Sequence, residues 1–229
     1  MTEPLPTPEE INRLQEEIKN ETIALTSAIG KVTAAWGSLE DSLHEMFAEL
    51  SGLAGIATSG VIFYAPPNTE TRIRIVDSLV AYHFDFNRKT DEQRVVSEAW
   101  GKIKGKINAL KNTRNAIAHG MIVHTQTTGV LTQRPRLTTP IADTLRFWPS
   151  LKAGQYFGMG SNEVLTHLAA VHRIDGRVRN FTKAVRLTLK RKSGFSQEEE
   201  LLLAEMLSDL TSAGSSENVV SSEQRQSGE

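Results

Sequence analysis

The sequence predicts an all-α fold: an antiparallel helical bundle with a small β-hairpin inserted between its last long helices. Three observations predict it. Helix-opening signatures recur along the chain, apolar residues repeat at helical spacing over long stretches, and one segment near residues 121–160 turns to β-branched runs split by a turn signal.

Thr7-Pro8-Glu9-Glu10 joins a capping threonine, a proline at the first helical position and a glutamate at the third, and so opens a helix over 8–30. Only Gly30 and Gly37 interrupt the pattern before a second helix over 31–51, so the two read equally well as one. Trp36, Leu39, Leu43, Phe47 and Leu50 form its apolar stripe, and Gly52 stops it. Residues 52–68, with Pro66-Pro67, read as a loop, and Asn68 caps a helix over 69–83. Thr90-Asp91-Glu92-Gln93 repeats the capping box and opens a helix over 91–119, which Gly120 would end in a left-handed conformation. MIVHT and VLTQRPRL flank Gln126-Thr127-Thr128-Gly129 and predict the hairpin; LRFW and QYFGM are candidates for further short strands. Ser161 caps a helix over 161–191, and Ser196-Gln197-Glu198-Glu199 opens a last one over 197–210 after Gly194. Residues 1–211 thus form one domain with its β insertion at about 121–160. Residues 212–229, rich in Ser, Glu and Gln, read as a disordered acidic tail.

The 229 residues contain no cysteine, which excludes disulfides and thiolate metal sites. No apolar run is long enough to span a membrane, and MTEPLPTPEE is unlike a signal peptide, so the expected location is cytoplasmic, with no membrane partner. A net charge of −1 hides an asymmetry. Residues 173–192 hold eight Lys and Arg against Asp175 alone, and residues 193–229 hold eight acids against Arg225 alone. Residues 101–120 carry Lys102, Lys104, Lys106, Lys111 and Arg114 with no acid. Basic helices on a near-neutral protein point to a local anion site, RNA being the expected partner, with Lys111, Arg177, Lys183 and Arg186 as candidate contacts; solvated helix faces are the alternative.

The segment KNTRNAIAHG, residues 111–120, raises a sharper question. On a helical wheel Trp100, Ile103, Ile107, Leu110 and Ile117 form one stripe, and Arg114 falls in its middle. An arginine facing a core needs a carboxylate or a cleft. Glu40, on the flank of the 31–51 stripe, is the candidate partner, and a plain buried Arg114–Glu40 ion pair is the structural alternative. His119 lies about 140° around a regular helix from Arg114, at the helix end.

Arg114-Asn115-Ala116-Ile117-Ala118-His119-Gly120 resembles the R-x4-6-H motif of the HEPN family (higher eukaryotes and prokaryotes nucleotide-binding). The motif ends a long, late helix in both, and WGSLEDSLHEMF looks like the family's early helix; the resemblance covers about residues 20 to 210. It implies a HEPN-like bundle and a metal-independent endoribonuclease whose cleft forms where two subunits meet. Arg114 and His119 would be the catalytic pair and Asn115 a polar helper; Glu40, the partner read from the helical wheel, would be a supporting residue. It also implies a homodimer and, as in the toxin members, an antitoxin or other regulatory protein as partner. A non-catalytic HEPN-like module binding nucleotide, RNA or protein is the alternative; a purely structural dimeric bundle is a third reading.

No cofactor or metal is expected. His119/His124 and His167/His172 are each separated by four residues, not the i, i+4 pair of a helical zinc site. There is no P-loop, and Gly158-Met159-Gly160 before a helix is only a weak phosphate-loop signal. Phe147-Trp148 is the aromatic pair expected to be exposed.

Overall fold

The computed structural model describes residues 7–53, 55–86, 90–126, 133–138, 158–190 and 196–212. Among them are six α-helices and one antiparallel hairpin, so the protein is an all-α bundle with a small β insertion. The helices are α1 (Pro8–Ser51), α2 (Ile56–Tyr64), α3 (Thr69–Val80), α4 (Asp91–His119), α5 (Ser161–Lys190) and α6 (Gln197–Ser212). A π-helical segment, Ala81–Phe86, extends α3. Strands β1 (Met121–Gln126) and β2 (Gln133–Thr138) pair with Met121 opposite Thr138.

The predicted capping boxes close. Glu10 N–H donates to Thr7 Oγ1 at 3.3 Å while Thr7 N–H donates to Glu10 Oε2 at 2.8 Å. Thr90 and Gln93 exchange the same two bonds, as do Ser196 and Glu199. Asn68 Oδ1 accepts from Thr71 N–H at 2.8 Å. Ser161, by contrast, is the first helical residue rather than a cap. Gly160 precedes it, its N–H donating to Glu163 Oε2 at 3.0 Å. Residues 8–51 form one helix, since a lone glycine in an otherwise good helical run costs only about 1 kcal/mol. The loop expected over 52–68 contains α2: Phe63, fully buried, anchors a segment whose β-branched composition favours no helix on its own.

By its contacts the chain divides into two compact units, and α1, α4 and α5 each contribute to both. The first comprises residues 1–36 and 109–172. Its core is Leu25, Ala28, Val32, Ile117, Leu137 and Val164, with Ile29, Ile122, Met159 and Leu168 packed against it. The hairpin is tied in from both sides: Leu137 exchanges two backbone bonds with Met159, and Arg134 pairs with Glu21 at 2.9 Å. Of the QYFGM stretch, Gly158 and Met159 are described, and Met159 pairs with Leu137 as a single bridge. LRFW, Phe147-Trp148, Gly194 and the tail beyond residue 212 lie outside the described residues.

The second unit comprises residues 37–108 and 173–229. Its buried residues include Leu39, Leu43 and Phe47 of α1, Val76 of α3, Trp100, Ile103 and Ile107 of α4, and Phe181 and Val185 of α5. Ser38 and Ser42 donate to the buried Asp175, and Glu49 takes Arg186 at 2.6 Å, so this part of α1 and α5 run side by side in the same direction. Trp100 packs on Phe181, ring centroids 5.7 Å apart, and donates from its indole N–H to Asp77 at 2.9 Å.

Candidate functional site

The motif at the end of α4 lies in the first unit. The helix continues through Ala116 and Ile117, both buried, and stops at His119. Gly120 ends it for a reason other than the left-handed turn expected, since the glycines with positive φ are Gly52, Gly55 and Gly158. A Cβ on Gly120 would stand 2.6 Å from Leu137 Cδ1 and 2.8 Å from the Ala116 carbonyl. Leu137 of β2 thus packs directly on this residue, and a side chain there would force Leu137 or the helix-end backbone to shift.

Arg114 is partly buried. Its guanidinium stands over the Trp36 ring, 5.4 Å from the centroid, and donates from Nη1 to Asn115 Oδ1 at 3.1 Å. Among the described residues it meets no carboxylate. The expected pairing with Glu40 does not form, because Glu40 is already engaged inside the second unit. It accepts from Arg72 Nη1 at 2.9 Å and from the Thr69 hydroxyl. Arg72 is itself held by the Pro66 carbonyl and lies over Tyr64, so Glu40 closes the junction of α1, α2 and α3 and is not part of the Arg114 site. Trp36, which the sequence marks only as core, takes the place expected of Glu40. A large aromatic on the apolar stripe of a neighbouring helix is the available signal, since a ring face holds an arginine without a countercharge.

The neighbouring Asn115 accepts from Arg114 through its side-chain oxygen. His119 is exposed, and Lys111, one turn before Arg114, is partly buried. With α4 regular to its end, Arg114 and His119 project about 140° apart and about 7.5 Å apart along the axis. One chain therefore offers a cation and an imidazole on different faces of a helix end. Arg177, Lys183 and Arg186 lie in the second unit, along a groove of about 650 Å³ between α5 and α6 whose far wall carries Glu205 and Asp209. Arg186 is also tied to Glu49. The basic run therefore stands opposite carboxylates, a poorer surface for phosphates than the sequence suggests.

Two buried side-chain nitrogens among the described residues lack a hydrogen-bond partner, Trp36 Nε1 and His167 Nε2. Burial pushes the His167 imidazole below its usual range, so it sits in the first unit as a neutral ring. The Gly158-Met159-Gly160 backbone is committed to β2: Met159 N–H donates to the Leu137 carbonyl at 2.9 Å, and a Cβ on Gly158, φ 82°, would meet Thr138 at 2.8 Å. Among the described residues no three His, Asp or Glu side chains are grouped as metal ligands. No helix among them is long and apolar enough to cross a membrane.

Fold and site together define a helical bundle that presents an arginine, an asparagine and a histidine at one helix end beside a β-hairpin. Comparisons with protein-family models, with curated proteins and with solved structures found no match.

Proposed function

We propose that the protein is a metal-independent endoribonuclease of HEPN type, acting in a cleft that two copies complete. The observation that carries this reading is Arg114: a partly buried guanidinium held by a ring and an amide, with no carboxylate among the described residues to neutralise it. An arginine held in place with its charge unspent suits a phosphate, which its planar fork can grip through two oxygens. RNA cleavage by the ribose 2′-hydroxyl needs a base for that hydroxyl, an acid for the departing 5′-oxygen, and positive charge on the phosphorane. One helix end supplies a single histidine. A two-fold axis passing by the motif supplies two, one His119 as base and its mate as acid, with both Arg114 side chains on the phosphate. Asn115 fixes the guanidinium, and Lys111 extends the positive charge along the strand. The product carries a 2′,3′-cyclic phosphate.

The test is cleavage of RNA in excess chelator by the purified protein, with end-group analysis and light scattering. The expected outcome is a dimer that leaves 2′,3′-cyclic phosphate ends, with His119→Ala slower by about a hundredfold or more. Full activity in His119→Ala, strict need for a divalent metal, or a monomer at every concentration would reject the mechanism. RNA binding without cleavage would leave a non-catalytic module.

A further inference from the structure

The groove between α5 and α6 shares no residue with the α4 helix end. One face of each helix lines it. Arg177, Asn180 and Lys183 recur along α5; Leu202, Glu205, Met206 and Asp209 recur along α6 at i, i+3, i+4 and i+7. Lys190 and Glu199, 3.2 Å apart, pair across the closed end of the two-helix hairpin. The result is a trough with one cationic wall, one anionic wall, and an apolar floor of Leu187, Leu202 and Met206. Of the described side chains of α6 Leu203 alone is buried, while Leu201 is 67% and Leu202 49% exposed. Among the described residues neither Lys183 nor Glu205 has an ion-pair partner, although they line the same trough.

We infer that this groove is a self-association surface, occupied by the α5–α6 hairpin of a second copy. The reason is the symmetry of its charge pattern. A patch that is positive on one side, negative on the other and apolar between is complementary to itself under a two-fold axis running along the groove. That operation sets α6 of each copy against α5 of the other and turns two hairpins into a four-helix bundle. Leu187, Leu202 and Met206 of both copies become its centre, Leu202 loses its exposure to water, and Lys183 of each copy meets Glu205 of the other. A polyanion such as RNA fits less well, since Glu205 and Asp209 would face its phosphates. An acidic or a basic peptide would satisfy one wall and oppose the other. Only a partner carrying both signs in this order satisfies both, and a second copy does.

The experiment is a charge swap read by light scattering and sedimentation over a micromolar concentration series. Lys183→Glu and Glu205→Lys each place like charges across the axis and should weaken self-association through this face by on the order of a hundredfold. Mixing the two variants should restore it. In the mixed pair one copy carries carboxylates at both positions and the other carries ammonium groups at both, so every contact across the axis joins opposite charges. The double variant K183E/E205K should associate as the wild type does. Restoration on mixing also shows that each variant is folded. Single variants that keep the wild-type mass, or that fail to recover on mixing, would overturn the inference. So would loss of RNA affinity in Lys183→Glu with assembly unchanged, which would put RNA in the groove. None of these readouts involves His119, so cleavage and groove assembly can fail separately.

Discussion

At the scale of single residues, Arg114 and Glu40 each find a different partner from the one a helical wheel gives them. Both lie on or beside apolar stripes, and each needs something to answer its charge. Glu40 finds Arg72 and Thr69, while Arg114 finds Trp36 and Asn115. A double-mutant cycle should report this. Glu40→Ala is expected to cost about 3 kcal/mol by stranding the poorly exposed Arg72, and Glu40→Ala with Arg72→Ala to cost clearly less than their sum. Arg114→Ala should add to Glu40→Ala without coupling; urea unfolding measures all three, and coupling of Glu40 to Arg114 instead would contradict the geometry. His167 makes a second prediction. Its folded imidazole is held neutral by burial, while the unfolded ring titrates near pH 6.5. Its folded value is depressed, so stability is complete above the unfolded value and falls as pH drops below it, where the unfolded chain takes up a proton that the folded one refuses. Between pH 7.5 and 5.5 the wild type should lose more stability than His167→Leu does. Equal losses would mean that the ring protonates in place.

Elements show how far local chemistry carries. Three capping boxes are legible because each needs only residues three apart in sequence, and a helix start is a local event. Their worth should still differ. Thr90→Ala uncaps α4 six residues before the buried Val96 and is expected to cost about 1 kcal/mol of global stability. Thr7→Ala uncaps the same motif on α1, but the first buried residue there is Leu25. It should leave global unfolding almost unchanged and raise hydrogen exchange only in the first turn. An equal cost at both positions would show that the start of α1 is tied to the core. Helix α2 is illegible for the converse reason. IATSGVIFY has weak helical propensity, and what holds it is non-local: Phe63 is buried, and Ser59 is bonded to His44 at 2.9 Å. The glycine at the end of α4 is visible in the chain, but the reason for it is not, since Leu137 lies 17 residues further on and only folding brings it there.

For the whole molecule, the charge blocks are the instructive case. Residues 173–192 and 193–229 carry opposite excesses, and read along the chain they suggest a basic helix followed by an acidic tail. Folding sets part of each block on facing walls of one groove. A run that looks like an RNA track thereby becomes a two-signed surface, better matched by another copy of itself than by a polyanion. The α4 helix end and this groove lie in different compact units and share no residue.

The all-α class, the three capping-box helix starts and the 91–119 helix with Arg114 and His119 at its end are readable from the chain before it folds. Periodicity and capping depend on neighbours within about four residues, and those are written in order. Arg114 is likewise visible as an anomaly, because an arginine in an apolar stripe needs no fold to be noticed. What answers its charge is settled by packing alone. Whether a guanidinium meets a carboxylate or a ring depends on which side chains from other helices arrive beside it. Arg72 reaches Glu40 from 32 residues away, and Trp36 is brought to Arg114 across 78. The same holds for the groove, whose two walls are adjacent in sequence but acquire their opposed charges only when α6 folds back along α5.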